Sequence, residues 1–131
     1  MPFTPAELEY LTSQRLGRLA TVAPDSSPQN NPVGYFVRDD GTIDIGGFRM
    51  GASRKYRNVK KNNKVALVID DLVSTDPWKV RMLEIRGDAE AIDDAEPPRA
   101  GMTSEVIRIH PRRIFAFGIE PDDEGIQRRE F

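Results

Sequence analysis

The chain has 131 residues, 38% of them apolar, which supplies about 50 core-capable side chains and predicts a single domain over 1–131. Charged residues make up 31%, no apolar run approaches a membrane span and no export signal opens the chain, so membrane, secreted and fibrous classes are disfavoured and the cytoplasm is the default expectation. The net charge of −2 argues against a surface built throughout for nucleic acid, and the lack of Cys with a single His, His110, disfavours metal-dependent hydrolysis.

Thr4-Pro5-Ala6-Glu7 is a capping box with Pro at the first helical position, and Leu8 and Leu11 follow at helical spacing, so a short N-terminal helix is expected. The stretch 16–23 alternates loosely and ends in Pro24-Asp25-Ser26-Ser27-Pro28, which reads as strand, tight turn, strand. The second strand, about 29–38, contains Pro32 and therefore belongs at an edge, a bulge or a strand start. Asp39-Asp40-Gly41 turns into a third strand, 42–46, that ends in the pair Gly46-Gly47. Ser53 is placed to cap a basic helix, 54–62, whose apolar residues are Tyr56 and Val59. Val65 to Asp70 is a near-continuous apolar run suited to a central strand. The segment 79–92 alternates with a bulge signal at Gly87, 95–103 reads as a loop, and 106–119 alternates through Pro111 as a bent last strand. The tail from about 120 to 131 is acidic and is expected to be poorly ordered without a partner. The pattern predicts a mainly β, α+β domain of about six antiparallel strands with flanking short helices, a barrel with a generic α+β sandwich as its rival.

Charge is unevenly placed. From Arg49 to Lys64 there are seven Lys or Arg and no acid, whereas Glu120 to Phe131 holds five acids and two bases. Glycines followed by a helix start bearing Ser53, Arg54 and Lys55 suit an anion, because free N–H groups and the helix dipole favour a phosphate and the side chains add charge-assisted hydrogen bonds. A solvated basic helix is the bland alternative.

The segments 16–36, 46–71 and 82–92 resemble the flavin and deazaflavin split-barrel superfamily, which includes pyridoxamine 5′-phosphate oxidase, and most closely its small coenzyme F420-dependent members. The resemblance runs from about Leu16 to Ile119. It implies an FMN-binding type of split barrel, a homodimer, and a deazaflavin or flavin lying at the interface. Carried over, Ser53, Arg54 and Lys55 would hold the cofactor phosphate, while Gly47, Phe48 and Arg49 would run beside the ring and ribityl chain. Asn31, Pro32, Val33 and Gly34 would form the preceding ring-facing strand, with Arg57, Lys60 and Lys61 as weaker candidates for an oligoglutamate tail. Asn62-Asn63 replaces a common Asn-Pro, and Val80-Arg81-Met82 replaces a stretch that often contains glycine.

The expectation for function is an oxidoreductase using coenzyme F420, or alternatively FMN, on a small organic substrate. No catalytic residue is assigned, since a redox cofactor needs the protein only to bind, orient and tune it. The alternative is a flavin, deazaflavin or haem carrier without turnover, with His110 as the axial ligand in the haem version. Trp78 is a candidate ring-stacking or dimer-contact residue; Tyr35 and Tyr56 are read as core filling. Vitamin B6 oxidation is disfavoured because Arg112 and Arg113 alone do not supply its substrate site. A nucleic-acid role for the basic helix lacks the aromatic-rich strand motif of single-strand binders.

Overall fold

In the computed structural model, which describes residues 1–121 and 124–131, helix α1 (Pro5–Ser13) starts at the expected cap. Thr4 Oγ1 accepts from Glu7 N at 3.1 Å and Thr4 N donates back to Glu7 Oε1 at 2.9 Å. The strands that follow are β1 (Gly17–Val22), β2 (Pro28–Val33), β3 (Phe36–Val37) and β4 (Ile43–Ile45). A 3-10 turn (Met50–Ala52) leads into α2 (Arg54–Lys61), after which come β5 (Lys64–Thr75), β6 (Trp78–Ile92), β7 (Val106–Phe117) and β8 (Gln127–Glu130).

Among the described residues eight strands replace the six expected, for two reasons. The single strand expected over 29–38 is interrupted at Gly34-Tyr35 and becomes β2 and β3. The tail expected to be poorly ordered contributes β8, which pairs with β7 from Ala116↔Gln127 to Arg113↔Glu130. Asp122 and Asp123 of that tail lie outside the described residues. β5 also runs past Asp70 to Thr75, because Asp71 and Arg81 face each other across the β5–β6 hairpin and form a two-pronged ion pair. The bulge expected at Gly87 is present: the register shifts between Arg86 and Gly87, and a Cβ on Gly87 would lie 2.2 Å from His110 O.

All pairings are antiparallel and the strand order is β2-β1-β5-β6-β7-β4-β3, with β8 on β7. The two ends of this order, β2 and β3, are separated by only Gly34 and Tyr35 in the chain. So short a link spans about 10 Å, so the sheet must curl until its edges meet, giving a split barrel whose seam lies at those two residues.

Register assigns the two faces. Asn31, Leu19, Leu67, Ile85, Ile114 and Arg129 form one inward row across six neighbouring strands, and its aliphatic members are 0–2% exposed. The adjacent outward row is Pro32, Arg18, Val68, Glu84, Phe115 and Arg128. Helix α2 plugs one flank of the barrel with Tyr56 and Val59, the residues expected to face inward.

Candidate functional site

The seam opens into a groove of about 620 Å³, within the usual size range of small-molecule sites. One lip is the stretch from Pro32 to Phe36. Tyr35 fastens this lip to α1, its hydroxyl donating to Leu11 O at 2.7 Å with Gln14 O at 3.0 Å, and burial pushes its phenol up to about 12. It is therefore a neutral structural tie rather than a proton donor. Gly34, in the same lip, has nothing within 4 Å of where a Cβ would sit, so the space beside it is free for a flat ligand.

The opposite lip is Gly46-Gly47-Phe48. A Cβ on Gly46 would lie 2.8 Å from Met102 Sδ, so glycine there admits close packing of the loop that follows β6. Thr103 clasps that loop in place, its N–H donating to Gly47 O at 2.9 Å and its hydroxyl at 3.2 Å. Phe48 is 64% exposed and offers the groove a bare aromatic face. Three cations from separate segments line the same space: Arg15 after α1, Lys55 in the first turn of α2, and Arg99 on the clasped loop.

Helix α2 divides its cations between two places. Lys55 faces the groove, while Arg54, Arg57 and Lys61 line an adjoining hollow of about 480 Å³ against Pro24 and Asp25. Ser53 caps the helix by accepting from Tyr56 N at 3.3 Å, and its own proton goes to Met50 O at 2.6 Å. Arg49 is exposed and precedes the 3-10 turn, lining neither hollow. Lys60 lies 3.5 Å from Asp93 and 4.9 Å above the Tyr56 ring, so it serves the helix packing. Tyr56 O–H in turn donates to Asp93, and burial with that bond raises its phenol far above its ordinary value.

Of the residues expected from sequence, the structure thus brings Pro32, Val33, Gly34, Gly47, Phe48 and Lys55 into one groove. Arg54 and Arg57 sit in the second hollow, whereas Ser53 lines neither, its hydroxyl being taken up by the helix cap and Met50 O. Asn31 is turned inward beside Gln29, whose Nε2 donates to Asn31 Oδ1 at 2.6 Å. Sequence reasoning missed Arg15 and Arg99, which stand far from the basic segment, and Asn58, whose polar side chain within a charged helix gives no local sign of burial.

Several cations outside the groove are tied to carboxylates. Arg18, Lys64, Arg81, Arg86, Arg108 and Arg112 are each paired with a carboxylate. Among the described residues Arg15, Lys55 and Arg99 have no such partner, so the groove carries an uncompensated positive field suited to an anion. His110 is set apart in β7, outside the groove, its Nε2 buried without a hydrogen bond though 3.3 Å from Glu90 Oε1. Trp78 stands at the start of β6, 70% exposed and outside the groove. No cluster of three or more metal-ligating side chains exists among the described residues, and no described helix is long and apolar enough to cross a membrane.

The family model described as pyridoxamine 5′-phosphate oxidase matches residues 3–126. The chain belongs to this family. A curated member, the 5a,11a-dehydrotetracycline/5a,11a-dehydrooxytetracycline reductase of Streptomyces rimosus, is 47% identical over 133 residues, covering 99% of this chain and 94% of its own. A solved F420 reductase is 27% identical with a TM-score of 0.60, covering 81% of this chain and 94% of that one. A conserved hypothetical protein from Mycobacterium tuberculosis is 25% identical with a TM-score of 0.69, covering 86% and 82%. With a reductase matched nearly end to end, this member of the pyridoxamine 5′-phosphate oxidase family is an oxidoreductase.

Proposed function

We propose that the protein is a homodimeric reductase that binds coenzyme F420 in the seam groove and passes a hydride to a small conjugated carbonyl compound. The observation that supports it is the groove itself: an open face at Gly34, a bare aromatic at Phe48 and an unpaired cation at Lys55, all on one space of about 620 Å³. The likeness to an F420 reductase and to a dehydrotetracycline reductase favours a deazaflavin and a polycyclic or similarly conjugated acceptor.

When bound, a reduced deazaflavin supplies the hydride. The chain's own contribution is to hold and shield it. Lys55 neutralises the phosphate, the Pro32–Gly34 lip and Phe48 give apolar surface to a ring, and Arg54, Arg57 and Lys61 extend the positive field towards an acidic tail. The residues fit FMN in the same manner, except that the second basic hollow would then serve nothing.

The outer face of the sheet supports the dimer. Ala20, Ala66, Val68, Met82 and Phe115 point outward from the central strands and are only half-covered, while Leu72, Val73 and Trp78 stand exposed at the hairpin end. A sheet with apolar residues on both faces is stable when both faces are covered, and a second copy supplies the cover.

The test is a fluorescence titration of cofactor-free protein with F420 and with FMN, together with sedimentation to read the oligomeric state. Micromolar or tighter F420 binding, weakened at least about tenfold by Lys55→Ala, is expected. Preferential FMN binding would move the chemistry to flavin, and binding of neither would overturn the reading. Turnover of a panel of enones with reduced F420 separates a reductase from a carrier.

A further inference from the structure

Lys55 answers for one phosphate, yet the groove holds two more cations that no carboxylate among the described residues offsets, Arg15 and Arg99. They approach from outside α2, so they are separate from the phosphate end. Of the two, Arg99 is the better placed to act with fixed geometry. Its guanidinium stacks over the Phe36 ring at 5.5 Å, and Phe36 is itself part of the lip. Its own carbonyl accepts from Met102 N at 3.1 Å, the loop is closed by Ala95 N to Ser104 O at 2.9 Å, and Thr103 pins the loop to Gly47. A cation held by stacking and a clasped loop loses little further freedom when it binds a ligand.

We propose that Arg99 is the acceptor-binding residue of this groove and that the acceptors it selects are ionised, conjugated β-dicarbonyl compounds; this rests on the reductase reading above. The charge argument is direct. A neutral acceptor would leave both Arg15 and Arg99 uncompensated once the phosphate has met Lys55, whereas an acceptor carrying an enolate-type negative charge offsets one of the two. The planar guanidinium also matches two neighbouring carbonyl oxygens with two parallel N–H bonds, which lysine cannot do.

The reaction balances as follows. A hydride, with its two electrons, adds to the β-carbon of the acceptor's C=C bond, and the displaced π pair moves to the carbonyl oxygen. That oxygen accepts from Arg99, and a proton from water then enters at the α-carbon and restores the carbonyl. The acceptor is reduced by two electrons and the deazaflavin, its reductant, is oxidised by two. Arg99 favours the step because the oxygen it binds gains charge as the hydride arrives.

The test uses the full chain and oxytetracycline, a stable compound with an ionised tricarbonyl group, as probe. Calorimetric titration of the wild type, Arg99→Gln and Arg99→Lys is compared with F420 binding to the same proteins. The expected result is a loss of probe affinity of about tenfold or more in Arg99→Gln, a smaller loss in Arg99→Lys, and unchanged F420 affinity in both. Equal probe affinity in Arg99→Gln and wild type, or no saturable probe binding to the wild type, overturns the proposal. Failure of the wild type to bind F420 sinks the cofactor reading, while an Arg99-dependent probe affinity would still stand for this residue. Arg99 is an exposed loop residue, and thermal melts of the variants coincident with wild type exclude misfolding as the cause of a loss.

Discussion

Asn58 Nδ2 donates to Gln29 Oε1 at 3.0 Å, joining the inward face of α2 to the edge strand that leads into the groove lip. The same amide nitrogen donates to Thr21 Oγ1 at 3.0 Å, and Gln29 passes the chain on to Asn31. Asn58 is 2% exposed and Thr21 1%, so these bonds are made away from water.

Replacing Asn58 by Leu leaves the Thr21 hydroxyl and the Gln29 carbonyl without their donor. A buried polar group that loses its partner costs about 1–3 kcal/mol, so the urea midpoint is expected to fall by the equivalent of about 2 kcal/mol. An unchanged midpoint would mean that water replaces Asn58 without cost.

Gly34 gives the opposite pairing of effects. Nothing lies within 4 Å of its Cβ position and its backbone is not in the left-handed region, so Gly34→Leu is expected to melt within a few degrees of wild type. The new side chain occupies the groove, and F420 affinity is expected to drop by about tenfold or more. Retained affinity would place the ring away from this lip.

The two chain ends are fastened through Glu7 and Arg129. Arg129 Nη1 donates to Glu7 Oε2 at 3.0 Å, Nη2 reaches Oε1 at 2.5 Å and Pro2 O at 2.9 Å, and Glu7 is 2% exposed. Removing one partner of a buried pair strands the other, so Glu7→Leu and Arg129→Leu are each expected to cost about 3 kcal/mol by urea denaturation. The double variant should cost clearly less than the sum of the two, and simple additivity would show that the pair is not coupled.

Acid sensitivity is expected at the β5–β6 hairpin. Hydrogen bonds from Arg81 first, and then from the Tyr10 hydroxyl at 2.8 Å, hold the Asp71 carboxyl below its ordinary value against the opposing effect of burial. A carboxyl lowered in the folded state adds stability that is complete above its unfolded value of about 4 and is lost as the pH falls through its folded value. Asp88, lowered by Lys64 and then Arg112, acts in the same direction. Stability should therefore decline as the pH drops below about 4, and Asp71→Asn should be less stable at pH 7 and decline less on acidification. An identical acid profile in the variant would remove Asp71 from the account.

Much of this architecture was legible before folding. The capping box at Thr4, the turn at Asp39-Asp40-Gly41, the bulge at Gly87 and the cap at Ser53 each depend on residues a few positions apart, and each appears where the sequence places it. The tail was misread because its acidic composition hides Arg129, whose partner stands 122 residues away. The expected second strand was misread as continuous because Gly34-Tyr35 is a break only when Tyr35 reaches Leu11 and Gln14.

The sequence by itself determined both helices, most of the short strands and the basic segment from Arg49 to Lys64 that carries Lys55, because capping, turn geometry and alternation act over a few residues. Only the tertiary structure decided that Lys55 and Arg54 face different hollows, that Arg15 and Arg99 join Lys55 from distant segments, and that Ser53 spends its proton on Met50. Those placements follow from the closing of the sheet at Gly34-Tyr35, which sets which loops meet across the seam, and no local pattern of residues encodes a meeting of that kind.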